Sequence, residues 1–199
     1  MRRIRNTFAA LLVAAVCAAL VCVALNAQNT SSQGQATDSQ HMDTGSRKMM
    51  KSPDASFAIK AAQGGTAEVK MGQLAAQKGA NPDVKAFGQQ MVDDHSKAND
   101  DLKSVAQREG MTLPEDVNAH QHAMYSKLER LSGPEFDRAY VRGMVMDHQE
   151  DVKEFQKEAN SGSDEQIKAF ASRTLPIIQS HLDKIKSIQS NMQTGGSSK

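Results

Sequence analysis

Four long stretches of the chain repeat apolar residues at helical spacing, and turn residues separate them. Pro53-Asp54 opens the first, about 54–78, and Gly79 closes it. Asn81 caps the second and Pro82 takes its first position, with the pattern running to Gly110. An amide oxygen can accept from the free N–H groups of a first turn, and proline has no N–H to leave unpaired there. The stretch 111–133 carries Pro114, a short helical piece around 117–131, and Ser132-Gly133. Pro134 begins a third long helix, which continues to about Asn160 and ends near Gly162. Ser163, with Gln166 three residues on, forms a capping box for a fourth that reaches about Met192. Long helices with a longer link in the middle predict an all-α fold. The expected architecture is a ferritin-like antiparallel four-helix bundle, with a crossover link that carries a short extra helix.

The buried stripes are interrupted. The second helix presents Val84, Phe87, Met91, Ala98, Leu102 and Val105, and the gap between Met91 and Ala98 is filled by His95. The third runs Phe136, Tyr140, Met144, His148, Val152, Phe155, and the fourth Ile167, Phe170, Thr174, Ile177, His181, Ile185, Ile188. In the first, Phe57, Ala61 and Gly64 lead to Glu68, then Met71 and Ala75. Each helix therefore has one ionisable residue on its inner face. Glu68, His95 and His148 stand near their helices' midpoints, and His181 lies about three residues past its own, about 4–5 Å along the axis. Midpoints meet in an antiparallel bundle, so Glu68, His95, His148 and His181 are expected to share one layer.

A carboxylate and three imidazoles are costly to bury unless they are hydrogen-bonded or bind a cation. Such a donor set suits one transition-metal ion: zinc, iron, manganese or copper. A metal-free Glu–His network, or a different register of the helices, are the competing readings. Met91 and Met144 stand four residues before a core histidine, where thioether ligation would favour copper and core filling is the plain alternative. Asn99 and Asp151 lie four and three residues after His95 and His148, placed to orient an imidazole. Tyr140 is expected in the core with its hydroxyl bonded. Asp94 and Asp147 directly precede their histidines and point about 100° away, toward solvent or a neighbouring helix. Pro176 costs a backbone bond inside the fourth helix, and Gly64-Gly65 weakens the first by permitting close packing or a bulge. His120, His122 and Met124 on the middle link read as solvated surface.

The chain has 199 residues, and its first 27 are laid out as an export signal. Arg2, Arg3 and Arg5 precede an apolar run from Phe8 to Leu25, and Asn26-Ala27 follows as the small-residue cleavage site. An uncleaved inner-membrane anchor of residues 8–25 is the alternative, and with it any membrane association. Val16 and Val21 make poor lipoprotein boxes before Cys17 and Cys22. Those are the only two cysteines, so the mature chain is expected to have no disulfide partner and no thiolate chemistry. The chain carries 24 Lys+Arg against 23 Asp+Glu; setting aside the three signal arginines leaves 21 against 23. That balance excludes the basic footprint of a nucleic-acid partner. Residues 28–52, with His41, Met42, Met49 and Met50, read as a disordered polar tether, 53–193 as the bundle and 194–199 as a disordered tail.

No phosphate loop, nucleophile elbow or H-E-x-x-H occurs, and Val92, Val145 and Ile178 stand where di-iron bundles place the glutamate of Glu-x-x-His. No catalytic residue is identified, and iron storage or di-iron oxygenation is disfavoured. The segments MVDDH with His95, FDRAYV and MDHQ with Asp137, Tyr140 and His148, and LPIIQSHL with Pro176 and His181 carry a resemblance over about 54–190. The chain resembles the bacterial domain-of-unknown-function family numbered 4142. That resemblance implies an exported ferritin-like bundle, of a kind often described as an outer-membrane or membrane protein, and no established activity. Two functions are left open. One is an exported metal-binding protein that buffers a metal or handles an oxidant at the cell envelope, periplasmic or outer-membrane-associated. The other is a non-enzymatic envelope stress or interaction protein whose buried layer is purely structural.

Overall fold

The computed structural model describes residues 52–195, and the expected export signal, nearly all of the tether and the last residues of the tail lie outside that range. Five helices follow in order: α1 Pro53–Lys78, α2 Pro82–Arg108, α3 Ala119–Glu129, α4 Gly133–Ser161 and α5 Glu165–Gly195. The described residues contain no strand.

Capping residues set the boundaries. Ser52 accepts from Ala55 N at the head of α1, Asn81 from Asp83 N at the head of α2, and Asn118 forms a reciprocal capping box with Gln121 at α3. At α5 the expected Ser163 box is not formed. Asp164 is the cap, its Oδ1 accepting from Gln166 N and Ile167 N at 2.9 Å each. A carboxylate beside a hydroxyl won the position, because it bonds two free N–H groups and favours the positive end of the helix. The far end of α5 runs past Met192, where Thr194 Oγ1 donates to the carbonyls of Ser190 and Asn191 in the last turn.

Two end contacts give the helices their directions. Asp137, near the start of α4, accepts from the backbone of Ala80 and Asn81 in the α1–α2 turn. Asp54, at the start of α1, accepts from Ser163 N in the α4–α5 turn. So α1 and α5 run one way, and α2 and α4 the other. Neighbours α1–α2, α4–α5, α2–α5 and α1–α4 pack against each other, each pair antiparallel. The link from α2 to α4 must therefore climb the length of the bundle, about 40 Å at 1.5 Å per residue, and its helix α3 packs on α1. This is the expected ferritin-like crossover. The α1–α2 approach is close enough that a Cβ at Gly72 would lie 2.7 Å from the Gly88 carbonyl oxygen, and the reverse also holds.

The core forms two apolar clusters. One gathers Met71, Phe87, Phe136, Tyr140, Met144 and Ile185 toward the Asp137 end; the other gathers Phe57, Leu102, Phe155, Ile167, Phe170 and Ile178 toward the Asp54 end. Ile178 is buried and Ile177 is 44% exposed, which reverses the expected assignment. The buried series in α5 is Ile167, Ala171, Thr174, Ile178, His181, Ile185, Ile188. Its steps of four and three fit the inner seam as well as the stripe through Ile177 would, and two adjacent isoleucines gave no polar residue to choose between them. The α-helix continues through Pro176 and through Gly64-Gly65 without a bulge. Gly65 serves close packing instead, since a Cβ there would collide with Asn99 Oδ1.

Candidate metal centre

Between the two clusters lies a polar layer. Glu68 from α1, His95 from α2, His148 from α4 and His181 from α5 are all buried, none more than 6% exposed. The three imidazole centroids form a triangle: 5.9 Å from His95 to His148, 5.3 Å from His95 to His181, and 5.5 Å from His148 to His181. One ring nitrogen of each lies within 4.8 Å of the other two.

Each ring has one nitrogen engaged and one unpartnered. His95 Nδ1 lies 3.0 Å from Glu68 Oε2. His148 Nδ1 donates to the Met144 carbonyl at 3.0 Å. His181 Nε2 lies 2.8 Å from Asp94 Oδ2. All three partners are acceptors, so each engaged nitrogen carries the hydrogen. In a neutral ring this leaves a lone pair on the other nitrogen. Those are His95 Nε2, His148 Nε2 and His181 Nδ1, and none of them has a hydrogen-bond partner. Buried polar atoms are seldom left unpaired in folded proteins, and here three occur in one layer.

The charges follow from the same arrangement. Burial opposes the charge on Glu68, yet the imidazoles of His95 and His148 more than reverse this and lower its pKa. Burial likewise opposes charge on His95, but the Glu68 carboxylate outweighs it and raises that pKa. Burial lowers His148, and it takes His181 down to about 4 despite the Asp94 carboxylate. Two of the rings are thus held neutral, ready to donate electron pairs.

Glu68 stands apart from the triangle. Its Oε2 faces His95 and its Oε1 lies 3.4 Å from His148 Nδ1 without a hydrogen bond. One of its oxygens lies within 4.8 Å of donor atoms of His148 and Asp151, a grouping distinct from the three histidines. Asp151 does not orient His148 as expected, because the Met144 carbonyl one turn back already takes the Nδ1 hydrogen. Asn99 does not bond His95, whose Nδ1 faces Glu68 and whose Nε2 is free. Met91 and Met144 are wholly buried in the cluster toward the Asp137 end. Tyr140 stacks on Phe136 at 5.9 Å, but its hydroxyl, expected to be bonded, has no partner.

Sequence reasoning undervalued Asp94. It is 38% exposed at its side chain and reaches from α2 to His181 on α5. Its 100° offset from His95 pointed to a neighbouring helix as one of two destinations, and that is where it goes. Asp147 is half-buried on the side of α4 toward α1 and the crossing link, where burial and the Glu68 charge raise it to about 6. His120 and His122 are exposed. No helix among the described residues is long and apolar enough to cross a membrane.

The comparisons with known proteins fit this fold. No curated protein matches the sequence. A solved structure of a DUF305 protein from Streptomyces coelicolor, described as a candidate secreted protein, aligns with a TM-score of 0.61 at 14% identity, covering 72% of this chain and 96% of that one. A DUF305 fragment from Deinococcus radiodurans aligns with a TM-score of 0.62 at 11% identity, covering 70% and 96%. Similarity at that identity shows a shared helical fold. The sequence itself matches the family described as domain of unknown function (DUF4142) over residues 39–188, most of its length, and the chain belongs to that family.

Proposed function

We propose that the protein is an exported metal-binding bundle whose centre is built by His95, His148 and His181, with Glu68 and Asp94 holding two of the rings. The observation that carries this reading is the set of three unpartnered imidazole nitrogens in one buried layer. Three imidazole nitrogens suit zinc, copper or iron(II) better than manganese, which prefers oxygen donors. They also leave a fourth position for water or an exchanging ligand, the arrangement a protein needs to take up and release an ion rather than lock it away. Carboxylate and carbonyl acceptors behind the rings fix their tautomers and raise their basicity. Buffering a transition metal at the cell envelope is the role these features support best. The export part of the reading rests on the arginine-led apolar N-terminus and on the secreted description of a structural neighbour.

Metal analysis of the protein expressed with its own N-terminal segment and recovered from the envelope tests the proposal. Near-stoichiometric zinc, copper or iron is expected. Protein that stays metal-free when each of these is supplied would refute it, and would favour a layer that serves only to set helix register.

A further inference from the structure

Beside the histidine layer, a cavity of about 230 Å³ opens between α1, α4 and the crossing link. Five carboxylates line it: Glu68, Asp147, Glu150, Asp151 and Glu154. Its one ammonium, Lys60, is already paired with Glu154 at 3.4 Å. Crowded surface acids need no ligand, but Glu68 is not a surface acid. It is 3% exposed and forms part of the cavity wall. With Oε2 committed to His95, Oε1 remains as a buried oxygen without a hydrogen bond. An oxygen of Asp151 lies within 4.8 Å of one of Glu68. Two carboxylates that close, one of them fully desolvated, repel each other unless one takes up a proton or a cation lies between or beside them.

We propose that this cavity is a second cation site, for a divalent ion that prefers oxygen ligands, held by Glu68 and Asp151 with Asp147 beside them. His148 is not a ligand here, because its Nδ1 hydrogen is given to the Met144 carbonyl. The donor set is carboxylate oxygen, which selects manganese, magnesium or calcium over the ions that suit imidazole. Glu68 then stands between two different sites, bonding a ring of one through Oε2 and offering Oε1 to the other. The remaining acids lead outward from Asp151 and supply a negative field that draws cations in.

Manganese(II) titration followed by electron paramagnetic resonance, on protein stripped of transition metals, tests the site. Wild type and His181→Ala should both bind the ion, while Asp151→Asn should bind it about tenfold or more weakly and still take up zinc as wild type does. Nitrogen hyperfine coupling from manganese in the His181→Ala protein should be absent or weak, a reading that does not depend on the carboxylate variant folding. Manganese binding that survives Asp151→Asn unchanged would overturn the proposal. So would strong coupling to imidazole nitrogen, or no binding by wild type at millimolar manganese. The imidazole centre can fail its own metal analysis without touching these outcomes, since His181→Ala dispenses with it.

Discussion

Asp54 and Asp137 sit at opposite ends of the bundle, 7% and 2% exposed, about as buried as Glu68 in its middle at 3%. At the ends the carboxylates are spent on the protein's own backbone. Asp137 accepts from Ala80 N and Asn81 N at 3.0 and 2.8 Å, and Asp54 from Ser163 N at 2.8 Å. In the middle the polar groups are engaged on one side only, and Glu68 Oε1, His95 Nε2, His148 Nε2 and His181 Nδ1 are left over. Burial alone does not separate a structural polar residue from a ligand-binding one. What separates these residues is whether a fully buried atom is left without a partner, as in each member of the layer and in neither Asp54 nor Asp137. Asp54 and Asp137 tie turns to helices; the four residues of the layer are held in place with a free atom each.

Breaking the layer should have the largest effect. Loss of a supporting partner typically costs tenfold to a hundredfold in metal affinity, so removing a ligand in His148→Ala should cost more than about a hundredfold, read by competition with a chelator of known affinity. His122→Ala, on the exposed link, should leave that affinity unchanged. Breaking an end should show the opposite pattern. Asp137→Ala strands two backbone N–H groups and should lower unfolding free energy by about 2–3 kcal/mol with metal content preserved; loss of metal instead would erase the distinction. Asp94→Ala sharpens the comparison from within the layer. His181 keeps its place but loses its anchor, and affinity should fall about tenfold.

The smallest effect concerns pH at the Asp54 end. Burial and the neighbouring Asp54 raise Glu158 from 4.5 to about 7, with Asp164 adding to the rise and Lys157 opposing it. A carboxyl with a raised pKa in the fold stabilises it fully below pH 4.5, and that contribution is lost as pH climbs through 7. Asp54 is shifted the other way, so its contribution is present above pH 3.8 and lost on further acidification. The contribution of Glu158 to melting temperature should therefore fall between about pH 5 and 8, and Glu158→Gln should remove that share of the pH slope. An unchanged slope in the variant would remove Glu158 from the account.

The fold was legible because its punctuation is strong. Gly79, Asn81 and Pro82 in close succession leave little choice about where α1 ends and α2 starts. The layer was legible because each imidazole interrupts an apolar stripe near a helix midpoint. Its wiring was not. Spacing of three or four residues brought Asn99 and Asp151 near their histidines, but spacing cannot weigh a side chain against the Met144 carbonyl or against Glu68 from another helix. Asp94 was ambiguous for the same reason, since a residue beside the seam can face water or the next helix. The acidic cavity was invisible, because α1, α4 and the crossing link meet there only once the bundle is packed.

The three imidazoles come from well-separated parts of the chain, at residues 95, 148 and 181. Past its first 22 residues the chain contains no cysteine. An ion held by those rings would do for it what a pair of disulfides does for many small extracellular proteins: it would fasten α2, α4 and α5 together and remove much of the freedom of the unfolded chain. Unlike a disulfide, this fastening could be withdrawn by a chelator or by acid, so resistance to proteases would rise and fall with metal supply.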